Sequence, residues 1–196
     1  MKKYLFNAAF TVAVITAFGA GAVSDCSAQT KKAGTGIRSV DFRNRTYSFN
    51  IGGEENTIKL RNGIYKEGVG GLIYEVRKND VVYGDVNGDG KEDAVVRIRL
   101  SSGASLRDFE IQAYEFQAGS AKRLARIEMP DATSGYQGSI CCTGEGLQIK
   151  NGHVMFEALT DGEIILSYEK ITTFDFVLTD GKFVSSGSPK SRKKPK

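Results

Sequence analysis

Four Asn-Gly or Asp-Gly pairs divide this chain into short extended segments, and they constrain its fold more than any other feature. They are Asn62-Gly63, Asn151-Gly152, Asp161-Gly162 and Asp180-Gly181. Such pairs adopt the two positive φ angles of tight hairpin turns, so each predicts a reversal between antiparallel strands. A turn spacing of about 8 to 12 residues predicts roughly eight to ten strands. The expected fold is mainly β, a single antiparallel β-sandwich or strongly curled sheet, with flexible termini.

The segments between the turns alternate apolar and polar residues, as half-buried strands do. Phe109, Ile111 and Ala113, for example, alternate with polar neighbours. A helix over residues 105–117 is the alternative, since some of its apolar residues also have helical spacing. The alternation and the turn expected at Gly119 favour a strand.

Oxygen-bearing side chains recur at alternate positions in the segment Asp85-Val86-Asn87-Gly88-Asp89-Gly90-Lys91-Glu92-Asp93. Calcium prefers oxygen ligands, and glycines allow a loop to curl around the ion. The sequence therefore predicts a structural Ca²⁺ site, with water completing about six or seven ligands. Its ligands would be the side chains of Asp85, Asn87, Asp89 and Asp93 and the backbone carbonyl of Lys91. The alternative is an ion-free turn whose acidic residues are solvated.

The segment does not fit an EF-hand, because the twelfth position counted from Asp85 is Val96 and not the bidentate glutamate. β-branched residues on both sides predict a loop that joins two strands. Gly84 to Val96 resembles the calcium loop of FG-GAP and VCBS repeats, in which Gly-Asp-x-Asn-Gly-Asp-Gly-x-x-Asp precedes an apolar strand. The resemblance implies an ion between strands but no propeller, since the motif occurs once. The whole chain more loosely resembles small exported bacterial β-proteins of unassigned function.

The first 28 residues have the pattern of an export signal. Lys2 and Lys3 precede an apolar stretch, and Cys26-Ser27-Ala28 offers a small-x-small cleavage point. A membrane anchor is the alternative, but a span needs about 20 apolar residues and this stretch is shorter. The expected parts are a signal peptide at 1–28, a flexible lead-in at 29–36, a β-rich domain at 37–184 and a disordered basic tail at 185–196.

These parts predict an exported protein, periplasmic or secreted, with no transmembrane segment after signal removal. A lipoprotein modified at Cys26 is disfavoured, because the preceding residue is the charged Asp25. The net charge of +4 is concentrated in the tail, which holds Lys190, Arg192, Lys193, Lys194 and Lys196. Because no aromatic residues interleave with these charges, specific nucleic-acid binding is not expected. The alternatives for the tail are a solvated terminus and contact with an anionic membrane, a cell-wall polymer or nucleic acid. For the protein as a whole, the expected partner is an envelope polymer or protein.

Cys141 and Cys142 are disulfide candidates, because free thiols rarely persist in an exported protein. Bonded to each other they would close a strained ring. If the signal were cleaved after Ala22, Cys26 would remain as a third partner. A redox role is disfavoured, since catalytic cysteines are usually separated by two residues.

Few residues point to catalysis. His153 is the single histidine, and no nucleophile motif accompanies it. A carboxylate pair such as Asp41 with Glu110 or Glu157 has no sequence signature and stays open. The sequence thus favours a non-catalytic binding or interaction module of the bacterial envelope. The alternative is an enzyme or enzyme inhibitor with a site built from loops.

Overall fold

Three of the predicted turn pairs form tight turns in the computed structural model of the protein. Asn62-Gly63, with φ angles of 53° and 85°, reverses the chain between the bridged residues Arg61 and Ile64, and the other two pairs join strands. The φ angles are 52° and 78° at Asn151-Gly152, and 49° and 72° at Asp180-Gly181. The first of these two joins β9 (Gln148–Lys150) to β10 (His153–Thr160), and the second joins β11 (Lys170–Thr179) to β12 (Lys182–Ser185). Local backbone preference therefore explains both hairpins.

The structure describes residues 35–51, 54–102, 106–127, 146–160 and 170–193. All of them belong to one compact unit, Ala33–Lys196. The remaining strands are β1 (Thr46–Ile51), β2 (Glu54–Lys59), β3 (Ile64–Lys66), β4 (Ile73–Glu75), β5 (Val81–Gly84), β6 (Asp93–Ser102), β7 (Leu106–Gln117), β8 (Ser120–Ile127) and β13 (Lys190–Lys193). Two short 3₁₀ helices, η1 (Ile37–Ser39) and η2 (Lys78–Asp80), complete the described elements.

These thirteen strands of the described residues form three antiparallel sheets. The central sheet has the order β3-β4-β6-β7-β8, and β5 also pairs with β6. The second sheet has the order β12-β11-β10-β9, and β13 also pairs with β11. Strands β1 and β2 form a separate hairpin. The prediction of a mainly β, antiparallel fold is confirmed, and so is the strand in place of a helix at 106–117.

Both faces of the central sheet are buried, as the alternation along β6 shows. Val96 and Ile98 pack with Tyr47 of β1 in one apolar cluster. Val95 packs with Phe156 of β10 in the other. Because successive side chains of a strand point to opposite faces, the β1–β2 hairpin covers one face and the second sheet covers the other.

The strand count and the tail differ from the sequence-based expectation. Six strands have only three or four residues, and turn spacing does not detect strands that short. Residues 185–196 were expected to be disordered, yet Lys190–Lys193 form β13, paired antiparallel with Lys170–Thr173 of β11. The physical reason is that backbone hydrogen bonds to an existing edge order a segment that has no apolar residue of its own.

Several predictions lie outside the described residues. They concern the signal peptide at 1–28, most of the lead-in at 29–36, the hairpin pair Asp161-Gly162 and the disulfide candidates Cys141 and Cys142. In the part of the chain that the structure describes, no helix has the length and apolar character needed to cross a membrane.

Candidate metal centre

The predicted calcium segment is the loop that joins β5 to β6, and these two strands pair directly at its base. Gly84 lies opposite Asp93 in the antiparallel register. Val86 is 4% exposed and packs into the apolar cluster beneath the second sheet. Gly88 and Gly90 have φ angles of 78° and 80°, which glycine adopts without strain. The structure therefore confirms the strand-loop-strand setting.

The oxygen atoms of the predicted side-chain ligands turn into the loop and accept hydrogen bonds from its backbone. Asp85 Oδ1 accepts from the Gly88 N–H at 2.7 Å, and its Oδ2 accepts from the Gly90 N–H at 2.9 Å. These bonds, with that from Gly90 the largest cause, hold the pKa of Asp85 below its ordinary value. The loop is thus folded around its own carboxylates.

Asn87 and Asp89 continue the same pattern along the loop. Asn87 Oδ1 accepts from the Asp89 N–H at 2.9 Å, and Asp89 Oδ1 accepts from the Lys91 N–H at 2.8 Å. The bonds between nearby residues fix the curvature of the chain. Three of the predicted side-chain ligands therefore lie on one continuous turn.

Asp93 is the buried member of the set. Its side chain accepts a hydrogen bond from the Val86 N–H at 3.1 Å, and the residue is 1% exposed. Burial raises its pKa to about 6, and the negative charges of Asp89 and Asp85 contribute in the same direction. The carboxylates of Asp85 and Asp89 therefore lie within electrostatic range of Asp93.

Among the described residues, Lys91 is the one cation that forms an ion pair with a predicted side-chain ligand. Lys91 Nζ lies 3.5 Å from Asp89 Oδ2, but the lysine side chain is 80% exposed. An ion pair in that environment stabilises little, because water screens it. The predicted role of Lys91 as a carbonyl ligand stays a prediction.

The loop is also held by the elements around it. Arg38, in η1, donates from Nε and Nη2 to the two carboxylate oxygens of Glu92, each at 2.7 Å. The same guanidinium lies 4.4 Å from the centre of the Tyr83 ring, at the end of β5. Arg38 therefore connects η1 to both ends of the loop.

The second sheet contacts the loop through its β9–β10 turn. A Cβ placed on Gly84 would lie 2.8 Å from Cγ2 of Ile149, and one on Gly152 would lie 3.8 Å from the carbonyl oxygen of Asp85. The loop is therefore at the point where the central sheet, the second sheet and η1 meet. An ion bound there would act on the joint between these elements.

An open cleft of about 690 Å³ lies beside the loop. Its lining comes from the loop, from η1 and from the end of β7, and includes Asp89, Glu92, Asp93 and Glu115. The cleft is therefore a predominantly acidic surface, with Arg38 and Lys91 as its basic members.

Among the described residues, no group of three or more His, Cys, Asp or Glu side chains is already arranged around a metal position. The loop oxygens bond to backbone amides instead. The donor set is nonetheless made of oxygen only, with no histidine and no thiol, which suits a hard cation such as Ca²⁺. The residues present therefore fit calcium chemically.

The residues considered for catalysis do not come together. His153 Nδ1 lies 2.8 Å from Asp175 Oδ1 on the second sheet. Asp41 contacts Arg43 and Asn44, near the β1–β2 hairpin. Glu157 binds Arg192 of β13, whereas Glu110 accepts from Gln112 of its own strand. Each carboxylate is thus part of a different local network.

A charged cluster that the sequence did not reveal lies further along β6. Asp80, at the end of η2, is 0% exposed and accepts hydrogen bonds from Arg97 at 2.7 Å and Arg99 at 2.9 Å. Burial alone would raise the pKa of Asp80, but the two guanidinium groups hold it below its ordinary value. Burial lowers the pKa of Arg97, against the attraction of Asp80. Arg97 and Arg99 alternate with Val96 and Ile98 along β6, so they lie on the opposite face of the strand from these apolar residues.

Comparison of the chain with protein-family models, curated proteins and solved structures finds no match. The likeness to FG-GAP and VCBS loops therefore stays a prediction carried by residues 84–96.

Proposed function

We propose that the protein is an exported, non-catalytic β-domain with a structural Ca²⁺ site, and that it serves as a binding module of the bacterial envelope. The observation that carries the calcium site is Asp93. Its carboxylate is buried beneath a loop where Asp85 and Asp89 add negative charge, and it receives no ion pair from the protein in the described residues. A divalent cation would neutralise this group of carboxylates.

The position of the loop supports a structural role for the ion. The loop joins paired strands, inserts Val86 into the core and contacts Ile149 of the second sheet. Fixing the loop would therefore stabilise the packing of several elements at once. Extracellular modules bind calcium with Kd on the order of 10⁻⁴ to 10⁻³ M, and exported proteins meet calcium at such levels.

Export is supported by the basic start, apolar stretch and cleavage pattern within residues 1–28. The architecture limits where a partner can bind, because the central sheet is buried on both faces. Contacts with a partner are thereby left to loops, to the cleft and to the outer strands.

Thermal unfolding of the protein in chelator and in calcium tests the metal site. Calcium at a hundredfold excess over Kd should stabilise the folded state by about 2.7 kcal/mol. Asp89→Ala should abolish this calcium-dependent gain. Glu55→Ala, which removes an exposed carboxylate of β2, should retain it and serves as the matched control. Equal melting of the parent protein with and without chelator would contradict the proposal.

A further inference from the structure

Strands β12 and β13, which together form one edge of the second sheet, make a basic surface that the calcium site does not use. We name residues 182–185 of β12 and 190–193 of β13 the basic ribbon. Both strands pair with β11, β12 along its second half and β13 along its first. All residues of the ribbon are exposed except Phe183. The ribbon is therefore an edge of the fold that a partner can reach.

The register shows which ribbon residues share a face. Phe174 and Phe176 of β11 point into the apolar cluster, so Thr173 and Val177 point outward. Lys190 lies opposite Thr173, and Val184 lies opposite Val177. Side chains that are directly opposite in a sheet point to the same face.

By the same alternation Lys182 and Arg192 lie on the same face as Val184 and Lys190, because they lie opposite Thr179 and Ile171; Ile171 itself is buried, at 1% exposed, whereas Lys182 and Arg192 are exposed. The outer face of the ribbon therefore presents three basic side chains and the branched apolar side chain of Val184, which is 50% exposed. Lys193 extends from the opposite face of the same strand, and the sequence continues with Lys194 and Lys196.

Structural needs of the fold account for only one of these charges. Arg192 Nη2 donates to both oxygens of Glu157, at 2.8 and 2.9 Å, and so attaches β13 to β10. Lys182, Lys190 and Lys193 form no ion pair with the described residues. Lysines on an edge strand also prevent sheet-to-sheet association. The exposed Val184 among these lysines weakens that protection, so prevention of association does not explain the composition of the ribbon.

The chemistry of the ribbon favours one class of partner. Lysine ammonium groups bind phosphate as point charges, and an exposed aliphatic side chain beside them can enter the boundary of a lipid layer. Single-stranded nucleic acid would require exposed aromatic rings for stacking, whereas the one ring in the ribbon, Phe183, packs towards the core. We propose that the basic ribbon binds the surface of a membrane rich in anionic phospholipid.

This inference rests on the binding half of the proposed function and names its partner, but it does not require calcium. Each lysine near an anionic membrane contributes about 1 kcal/mol, so three of them correspond to roughly a 100-fold change in the partition coefficient. Attraction of this kind weakens as salt screens it.

The test is sedimentation of the protein without its predicted signal peptide, residues 29–196, with vesicles. One set contains phosphatidylcholine alone, and the other contains equal parts of phosphatidylcholine and phosphatidylglycerol. The protein should bind the anionic set only, in chelator as well as in calcium, and high salt should release it. Lys182→Gln, Lys190→Gln and Lys193→Gln combined should lower the partition coefficient roughly 100-fold.

The matched control removes the same charge elsewhere. Three exposed lysines outside the second sheet are used: Lys59 of β2, Lys66 of β3 and Lys78 of η2. Their combined change to glutamine should leave most of the binding intact. Far-ultraviolet circular dichroism and thermal melting of both triple variants verify that they fold.

Three outcomes would overturn the inference: equal binding to both vesicle sets, equal loss in the two triple variants, or binding to duplex DNA without binding to anionic vesicles. If the protein does not bind vesicles but calcium still raises its melting temperature, the proposed membrane partner is wrong and the metal site stands. If calcium has no effect and anionic vesicles bind, only the metal site is wrong.

Discussion

Strand β6 carries two charged clusters, and they differ in the source of their neutralising charge. At its start Asp93 is buried close to Asp85 and Asp89, and among the described residues the exposed Lys91 is the one cation paired with any of these three carboxylates. Further along, Asp80 is buried between Arg97 and Arg99, which donate to it directly. The second cluster contains its own counter-charges, whereas the first lacks them.

This difference in counter-charge predicts how the stability of the protein responds when one carboxylate of each cluster is removed. A buried ion pair that loses one partner leaves an uncompensated charge, and this is strongly destabilising. A group of like charges behaves in the opposite way, since removing one member relieves repulsion and desolvation. Substitution of a carboxylate in each cluster should therefore change stability with opposite signs.

The largest effect is expected for Asp80→Asn. Loss of the carboxylate leaves Arg97, whose side chain is 5% exposed, without its counter-charge, so the free energy of unfolding should fall by about 3 to 5 kcal/mol. Urea unfolding at neutral pH measures it. Because the folded-state pKa of Asp80 is lowered, its contribution is present above the ordinary value of 3.8 and is lost as the pH falls below it.

The difference in the free energy of unfolding between the parent and Asp80→Asn should accordingly become smaller in acid. Asp41→Asn is the control, because Asp41 is an exposed carboxylate with local partners only. A similar decrease in the free energy of unfolding of the control would show that the buried carboxylate contributes no more to stability than an exposed one.

A smaller effect of opposite sign is expected for Asp93→Asn in chelator. The amide still offers an acceptor to the Val86 N–H, and it removes a buried charge next to Asp85 and Asp89. The free energy of unfolding should rise by about 1 kcal/mol at neutral pH, where the parent carboxylate faces both neighbours.

In calcium the ranking should reverse, since the variant lacks a predicted ligand. Urea unfolding in the two buffers measures both changes. If Asp93→Asn were destabilising in chelator and in calcium alike, the loop would be a self-sufficient structure like the Asp80 cluster.

The smallest effect is expected for Arg38→Gln, which removes the contact between η1 and Glu92. Both side chains of that ion pair are at least half exposed, so water and salt screen it. The melting temperature should fall slightly at low salt, and the difference from the parent should disappear at high salt. A decrease that persists at high salt would mean that Arg38 holds the loop through Tyr83 instead.

Local rules predicted the setting of the loop because the responsible residues are neighbours in sequence. β-branched flanks predicted β5 and β6, and glycine pairs predicted the turns at 151–152 and 180–181. The turn between β7 and β8 was expected from Gly119, but Ala118 also has a positive φ of 51°, which no alanine signals in a sequence.

The Asp80 cluster and β13 could not be predicted in this way. Arg97 alternates with Val96, a pattern that normally places the polar residue in solvent, but the second sheet covers that face. Lys190–Lys193 have no apolar pattern, and only the edge of β11 makes them a strand. Both features depend on partners distant in sequence.

The contact between Gly84 and Ile149 has a consequence for how this loop tolerates substitution. Gly84 is not a predicted ligand, yet any side chain there would begin 2.8 Å from the Cγ2 methyl group of Ile149 and would push β9 away from the loop. In a scan of single substitutions, position 84 should therefore be restricted by lack of space, whereas Gly88 and Gly90 have open space around them and are restricted by their positive φ angles. Restriction at position 84 would therefore identify a packing contact between the two sheets and not a ligand of an ion.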